Sequence, residues 1–271
     1  MRLLHLPLLL LFTFSTLPPL SFANGPVALA ISPAFFDTTT TTATGNTHNP
    51  SFSKAKRLLQ AEVYKDHPKT LYCEAGFDSS KRVIAPPGFA TSKHTKRAQR
   101  IEWEHVVPAE NFGRNLSEWR NGHPQCVNSK GKPFKGRKCA EKMVEEYRYM
   151  QADMYNLFPA IGAVNALRSN YTFTLLPNTP ASFGSCPMKI DQRKAEPPES
   201  ARGRIARTYL YMDATYTHFA MSRKTRQLME AWDRMYPVNQ WECARADRIR
   251  AIQGNRNPVM EQACGHWVAN N

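Results

Sequence analysis

No stretch of this 271-residue chain is apolar for long enough to span a bilayer. The one candidate, Leu6 to Phe12 behind Met1-Arg2-Leu3-Leu4, is cut short by Pro18 and Pro19. With the small-x-small ending Ser21-Phe22-Ala23 it reads as a secretory signal peptide over residues 1–23, cleaved after Ala23. A membrane anchor is therefore not expected, and the product is secreted or periplasmic. Internal repeats are also lacking, which argues against solenoid architectures. Acidic charge is scarce, with 22 Asp and Glu against 36 Lys and Arg. Removing residues 1–23 takes away Arg2 and no acidic residue, so 35 basic residues face 22 acidic ones and the net charge is +13. Such a surface attracts polyanions, nucleic acid first and acidic membrane or glycan surfaces behind it.

The six cysteines include no Cys-x-x-Cys pair, and no histidine array has zinc-finger spacing. Zinc ligation is thus the weaker alternative, and an even count in an exported chain favours three disulfides. Six cysteines allow fifteen pairings. Those expected are Cys126 with Cys139, Cys243 with Cys264, and Cys73 with Cys186.

What the chain does have is 42% hydrophobic and 11% aromatic residues, enough for one large domain or two small ones. Residues 24–50, with Thr38 to Thr42 and no helical or alternating period, read as a disordered linker ahead of a folded domain at 51–271. From Ser51 the apolar positions Ala55, Leu58, Leu59, Val63 and Tyr64 form a helical stripe, with Ser51 or Ser53 as cap. Thr70 to Cys73 and Arg82 to Ala85 are short strand candidates for a small antiparallel sheet. A polar excursion at 114–138 precedes a helix expected over Ala140 to Tyr155. Pro159 should break that helix, and Ile161 to Leu167 should start another. Further helices are expected at about Pro198 to Met221, Lys224 to Met235 and Val238 to Ile252. Strands followed by helices imply an α+β fold.

The organising stretch is Arg100 to Ala109, a β-rich run that carries Glu104 beside His105 and is closed by Pro108. Taken alone, it could be a core strand with a hydrogen-bonded histidine and a surface glutamate. The sharper reading is a hard-metal site, in which Glu104 binds a divalent cation and His105 activates water. Neighbours on a strand point to opposite faces, so one site can use both only where the backbone twists or bulges. A lone Asn165 would be a helix-surface or cap amide, and a lone Arg137 a solvated charge in a basic loop. Trp103, Tyr147 and Tyr209 read as core. Asn115-Leu116-Ser117 and Asn170-Tyr171-Thr172 match glycosylation acceptors, relevant only in a eukaryotic secretory host.

Several ordered blocks change those odds: Glu-Trp-Glu-His-Val-Val-Pro-Ala at 102–109, Asn-Leu-Phe-Pro-Ala-Ile-Gly-Ala-Val-Asn at 156–165, and Arg-Ser-Asn-Tyr at 168–171. They are joined by Ala201 to Met212, Trp241-Glu242-Cys243 and Gln253-Gly254-Asn255. Over roughly residues 51–264 the sequence resembles the secreted or periplasmic endonuclease I family. It departs at Ala166 and Leu167, where that family often has Gly and Asp, and in the long excursion before Arg137.

The resemblance implies a monomeric ββα-metal (His-Me finger) nuclease that cleaves DNA and RNA without marked sequence preference, uses one Mg²⁺ and leaves 5′-phosphate ends. His105 matches its general base, Glu104 and Asn165 its metal ligands, and Arg137 the arginine that steadies the cleaved phosphate. Lys130, Lys132, Lys135, Lys138 and Arg168 are the expected nucleic-acid contacts. A binding module that captures DNA without cutting it, or a membrane-active basic protein, would explain the charge but leave Glu104, His105 and Asn165 unexplained. Metal-dependent nicking of a plasmid separates these alternatives.

Overall fold

The computed structural model describes residues 45–270; the expected signal peptide at 1–23 and residues 24–44 of the expected linker lie outside the described residues. The end of that linker is corrected, because the chain is already tied down at Asn46, whose backbone N–H donates to the Tyr216 hydroxyl at 2.8 Å. Its side-chain amide donates to the carbonyls of Asn49 and Tyr149. Asn46 and Asn49 are both buried, and buried amides paired in this way fix a backbone that composition alone reads as loose.

Ser51 caps α1 (Phe52–Leu58), its side chain accepting from the Lys54 N–H, and a π-helical turn at Leu59–Val63 extends the helix. Two short strands, β1 (Gly76–Phe77) and β2 (Val83–Ile84), pair antiparallel. The strand expected at Thr70 to Cys73 is a turn instead. Thr70 is closed on Ala75 through backbone and hydroxyl hydrogen bonds, which leaves no extended run there to pair. After the short α2 (Thr95–Ala98), the Glu-His run forms β3 (Ile101–His105), which pairs antiparallel with β4 (Leu157–Ile161) further along the chain.

Between these strands lie α3 (Ala109–Gly113), α4 (Ser117–Arg120), α5 (Arg137–Met143) and α6 (Glu145–Gln151). The single helix expected over Ala140 to Tyr155 is therefore divided. Val144 is extended, which suits its β-branched side chain, and Glu145 and Glu146 open a new first turn where acidic groups are favourable. Asp153 then caps a 3₁₀ turn at Met154–Asn156.

Pro159 does not mark a helix end. It sits inside β4 opposite Trp103, and its carbonyl accepts from the Leu71 N–H at 2.8 Å. A two-stranded ribbon tolerates a residue without an N–H because its outer edge needs no donor there. Helix α7 (Gly162–Arg168) follows directly, so β3, β4 and α7 make a ββα unit.

A second sheet joins β5 (Thr172–Phe173), β6 (Lys189–Asp191) and β7 (Lys194–Glu196) in the order β5-β7-β6, with β5 and β7 parallel. Four helices close the chain: α8 (Glu199–Thr215), α9 (Arg223–Met235), α10 (Gln240–Gln253) and α11 (Pro258–Asn270). The first three match the expected helices to within a few residues at most ends, while α11 is additional. The architecture is α+β, with small sheets among helices. Among the described residues no helix is long and apolar enough to cross a membrane.

The helices brace the ribbon through buried polar contacts. Arg245 of α10 donates to the Tyr64 hydroxyl and to the carbonyls of Met154 and Leu157, which fixes the entry to β4. Asp153, fully buried, accepts from the hydroxyls of Tyr211 and Tyr216 at 2.7 and 2.6 Å and from the Gln253 amide at 2.9 Å. Trp103, Tyr147 and Tyr209 are core, as read from the sequence. All three expected disulfides, Cys73–Cys186, Cys126–Cys139 and Cys243–Cys264, are formed.

Candidate active site

One face of the ββα unit opens onto a cleft of about 610 Å³, and Glu104, His105, Arg137 and Asn165 all line it. The strand-face problem is met at the strand's end, because His105 is the last residue of β3 and the ladder stops there. Its Nε2 lies 2.9 Å from the Gln151 carbonyl at the end of α6. A carbonyl only accepts, so Nε2 carries the proton and Nδ1 is left as the base. The ring lies 4.9 Å from that of Phe52 and is mostly shielded from solvent. Burial, aided by the positive charge of Arg137, lowers the imidazole to about 3, so it is neutral throughout the ordinary working range.

Glu104 is buried beneath the cleft, and one of its oxygens, Oε1, takes both the Tyr72 hydroxyl at 2.6 Å and Arg168 Nη1 at 2.8 Å. Among the described residues Oε2 takes no hydrogen bond. Burial pushes the carboxyl up, and Arg168 and Tyr72 act against that by stabilising its charge.

Arg168 corrects an expectation. It is fully buried, and besides Glu104 it binds the carbonyls of His105 and Val106 and lies 4.3 Å over the Phe173 ring. A guanidinium enclosed in this way cannot reach a nucleic acid; its place at the end of α7 puts it under β3 as the counter-ion of Glu104.

Asn165, on α7, donates Nδ2 to Glu102 Oε2 at 3.0 Å. That bond leaves its Oδ1 as the free oxygen of the amide. Glu104 Oε2 and Asn165 Oδ1 are oxygen donors with only one charge between them, a set that suits a hard cation retaining several waters, as Mg²⁺ does. Among the described residues no group of three or more His, Cys, Asp or Glu is placed to cage a metal. The residues present therefore fit a hydrated ion rather than a zinc-type centre.

Arg137 opens α5, and both Nε and Nη2 donate to the neutral Gln151 Oε1, at 3.3 and 3.2 Å. Gln151 thus holds both His105 and Arg137, a role that no motif or spacing signals. The cleft also collects Lys56, Lys81 and Arg100. None of these three, nor Arg137, has a carboxylate ion-pair partner among the described residues, whereas Glu102 and Glu104 are neutralised by Arg97 and Arg168. Glu110 also lines the cleft and has no cationic partner among the described residues, its Oε2 accepting from the Asn170 amide, so four unpaired cations face one unpaired carboxylate and the balance is positive. Lys130, Lys132, Lys135 and Lys138 stand exposed on the loop closed by Cys126 and Cys139, outside the cleft lining.

Comparison with known proteins adds a further finding. The family model described as Endonuclease I matches residues 39–264. The chain is similar to an extracellular deoxyribonuclease of Aeromonas hydrophila, 42% identical over 224 residues, which cover 80% of this chain and 92% of that protein. It is equally similar, 42% over 221 residues, to a periplasmic deoxyribonuclease of the same organism, covering 79% of this chain and 86% of the relative. An Endonuclease-1 of Buchnera aphidicola subsp. Acyrthosiphon pisum is 38% identical over 221 residues, or 79% and 82% of the two chains.

Proposed function

The chain belongs to the endonuclease I family, and from that premise we propose that it is a secreted or periplasmic, sequence-nonspecific endonuclease of DNA and RNA that acts as a monomer with one Mg²⁺. The observation that carries this reading is the joint lining of one cleft by His105, Glu104, Asn165 and Arg137. His105 Nδ1 takes a proton from the attacking water. Arg137 offers N–H donors to the phosphate as charge builds on it. The water oxygen bonds to phosphorus, the bond to the 3′ oxygen breaks with that oxygen taking a proton from solvent, and the phosphate stays on the 5′ side. A divalent cation on Glu104 Oε2 and Asn165 Oδ1 would supply charge neutralisation at the phosphate and at the departing oxygen. Plasmid nicking in Mg²⁺ that is abolished by EDTA supports this mechanism; cleavage indifferent to EDTA would refute it.

Binding is chiefly phosphate contact. Affinity for duplex DNA should fall with salt at a log-log slope of about −0.9 for each phosphate neutralised. Lys81→Gln and Arg100→Gln should each make the slope shallower by about 0.9 and leave sequence preference flat. A strong preference for one site among random duplexes would contradict this.

The exposed lysine loop lacks acidic residues and has little apolar content between Cys126 and Cys139; a Val127–Pro133 bridge and the Phe134 N–H on the Cys126 carbonyl shape it, and the disulfide restricts it further. Cys126→Ser with Cys139→Ser should lower stability by about 3 kcal/mol, and cleavage with it, because Arg137 lies two residues from Cys139. Thiol reductant should act the same way. Full activity of the double variant with unchanged circular dichroism would show that the disulfide does not serve catalysis.

A further inference from the structure

Two glutamates stand two residues apart on β3 and both line the cleft. Their hydrogen bonds give them different work. Glu104 keeps Oε2 open. Glu102 has neither oxygen open: Arg97 Nε donates to Oε1 at 2.8 Å, Arg97 Nη2 pairs with Oε2, and Asn165 Nδ2 donates to Oε2 at 3.0 Å. A carboxylate held by a two-pronged guanidinium has a fixed plane, and a fixed plane imposes an orientation on the amide beside it.

We infer that Glu102, clamped by Arg97, is a positioning residue that decides which end of the Asn165 amide faces the cleft. The inference rests on the reading of Asn165 as a metal ligand. An amide has one oxygen end and one NH₂ end of almost equal size. Only the oxygen can bind a cation, and an ionised carboxylate can only accept. Glu102 therefore selects the rotamer that sends Nδ2 toward itself and Oδ1 the other way.

The backbone is built around this contact. A Cβ on Gly162, the first residue of α7, would lie 2.5 Å from the Arg97 carbonyl oxygen and 3.0 Å from Glu102 Oε1. Only glycine lets the helix that carries Asn165 start this close to the clamped carboxylate. The Gly162 N–H also donates to the Arg100 carbonyl at 3.0 Å, which locks α7 to the start of β3.

The test is Mn²⁺ affinity of the full-length protein, read from the loss of the free-ion electron paramagnetic resonance signal. Glu102→Leu should weaken Mn²⁺ binding by about 10-fold to 100-fold, the usual range for a group that orients a ligand. Glu102→Gln should keep most of the affinity, since its side-chain oxygen still accepts from Asn165. The deciding arm places Glu102→Leu in an Asn165→Asp background. Aspartate presents an oxygen at either end and needs no orientation, so there the leucine should cost less than about 3-fold, well below the 10-fold expected for the amide. Melting curves confirm that each variant is folded, and an unfolded leucine variant is replaced by Glu102→Ala. An equal loss in both backgrounds would make Glu102 a ligand or a general electrostatic contributor and overturn the positioning role. Absence of Mn²⁺ uptake by the wild-type protein would instead overturn the metal-site reading beneath it.

Discussion

Replacing His105 by alanine should lower the cleavage rate by about 10² to 10⁴-fold, the range lost with a general base, while nucleic-acid affinity is kept. The cleft cations bind phosphate without it. Single-turnover cleavage and anisotropy in EDTA separate the two quantities, and a joint loss of binding and fold would make His105 a core residue. The pH profile follows from its environment. With the imidazole lowered to about 3, the base is already free at pH 5, so no acid limb should appear near its ordinary value of about 6.5. A limb with its midpoint there would contradict the buried, neutral state. Stability has the opposite sensitivity. In the unfolded chain the ring takes up a proton below about pH 6.5, while the folded chain resists until about 3. Stability from this residue is therefore full above 6.5 and is lost as pH falls, by about 1.4 kcal/mol per unit. His105→Gln should flatten that part of the slope.

Arg168→Met should be the most destabilising change at the site, by about 3 to 5 kcal/mol in denaturant unfolding, because it leaves the Glu104 charge buried with only Tyr72 as partner. Glu104 would then take up a proton, and the oxygen available to a cation would be lost with its charge. Adding Glu104→Gln should recover part of the stability but none of the activity, since a neutral amide still accepts from Tyr72. A loss below about 0.5 kcal/mol for Arg168→Met, within the ordinary range of surface changes, would show that the ion pair does not hold the ribbon.

These two residues mark how far the sequence could be read. That His105, Glu104 and Asn165 share one cleft was expected from the ordered blocks that carry the family resemblance, since each residue taken alone read as core or surface. The role of Arg168 was not, since its partner Glu104 lies 64 residues away and charge alone suggests a surface contact. Tyr72 and Gln151 carried no signal for the same reason. Strand β4 was hidden by being buried on both faces: Leu-Phe-Pro-Ala-Ile has no alternation to detect, and its proline reads as a breaker. The helices α8, α9 and α10 were easier, since composition, caps and spacing act within a few turns. The cysteine pairs came out as expected, yet the folding that brings Cys73 to Cys186 rests on contacts no spacing records.

The tether at Asn46 bears on the order in which the molecule can assemble as it emerges from a membrane. Its partner Tyr216 lies 170 residues later, and Tyr64 and Arg245 are separated by 181. A chain that emerges N-terminus first exposes Asn46 and α1 long before the groups that hold them arrive. Loop closure on that scale is slow, so the cleft, whose floor depends on α7 and whose bracing depends on α10, assembles only when nearly the whole polypeptide is across. Hydrolytic competence is thus a late event of translocation, set by where in the chain the bracing helices were encoded.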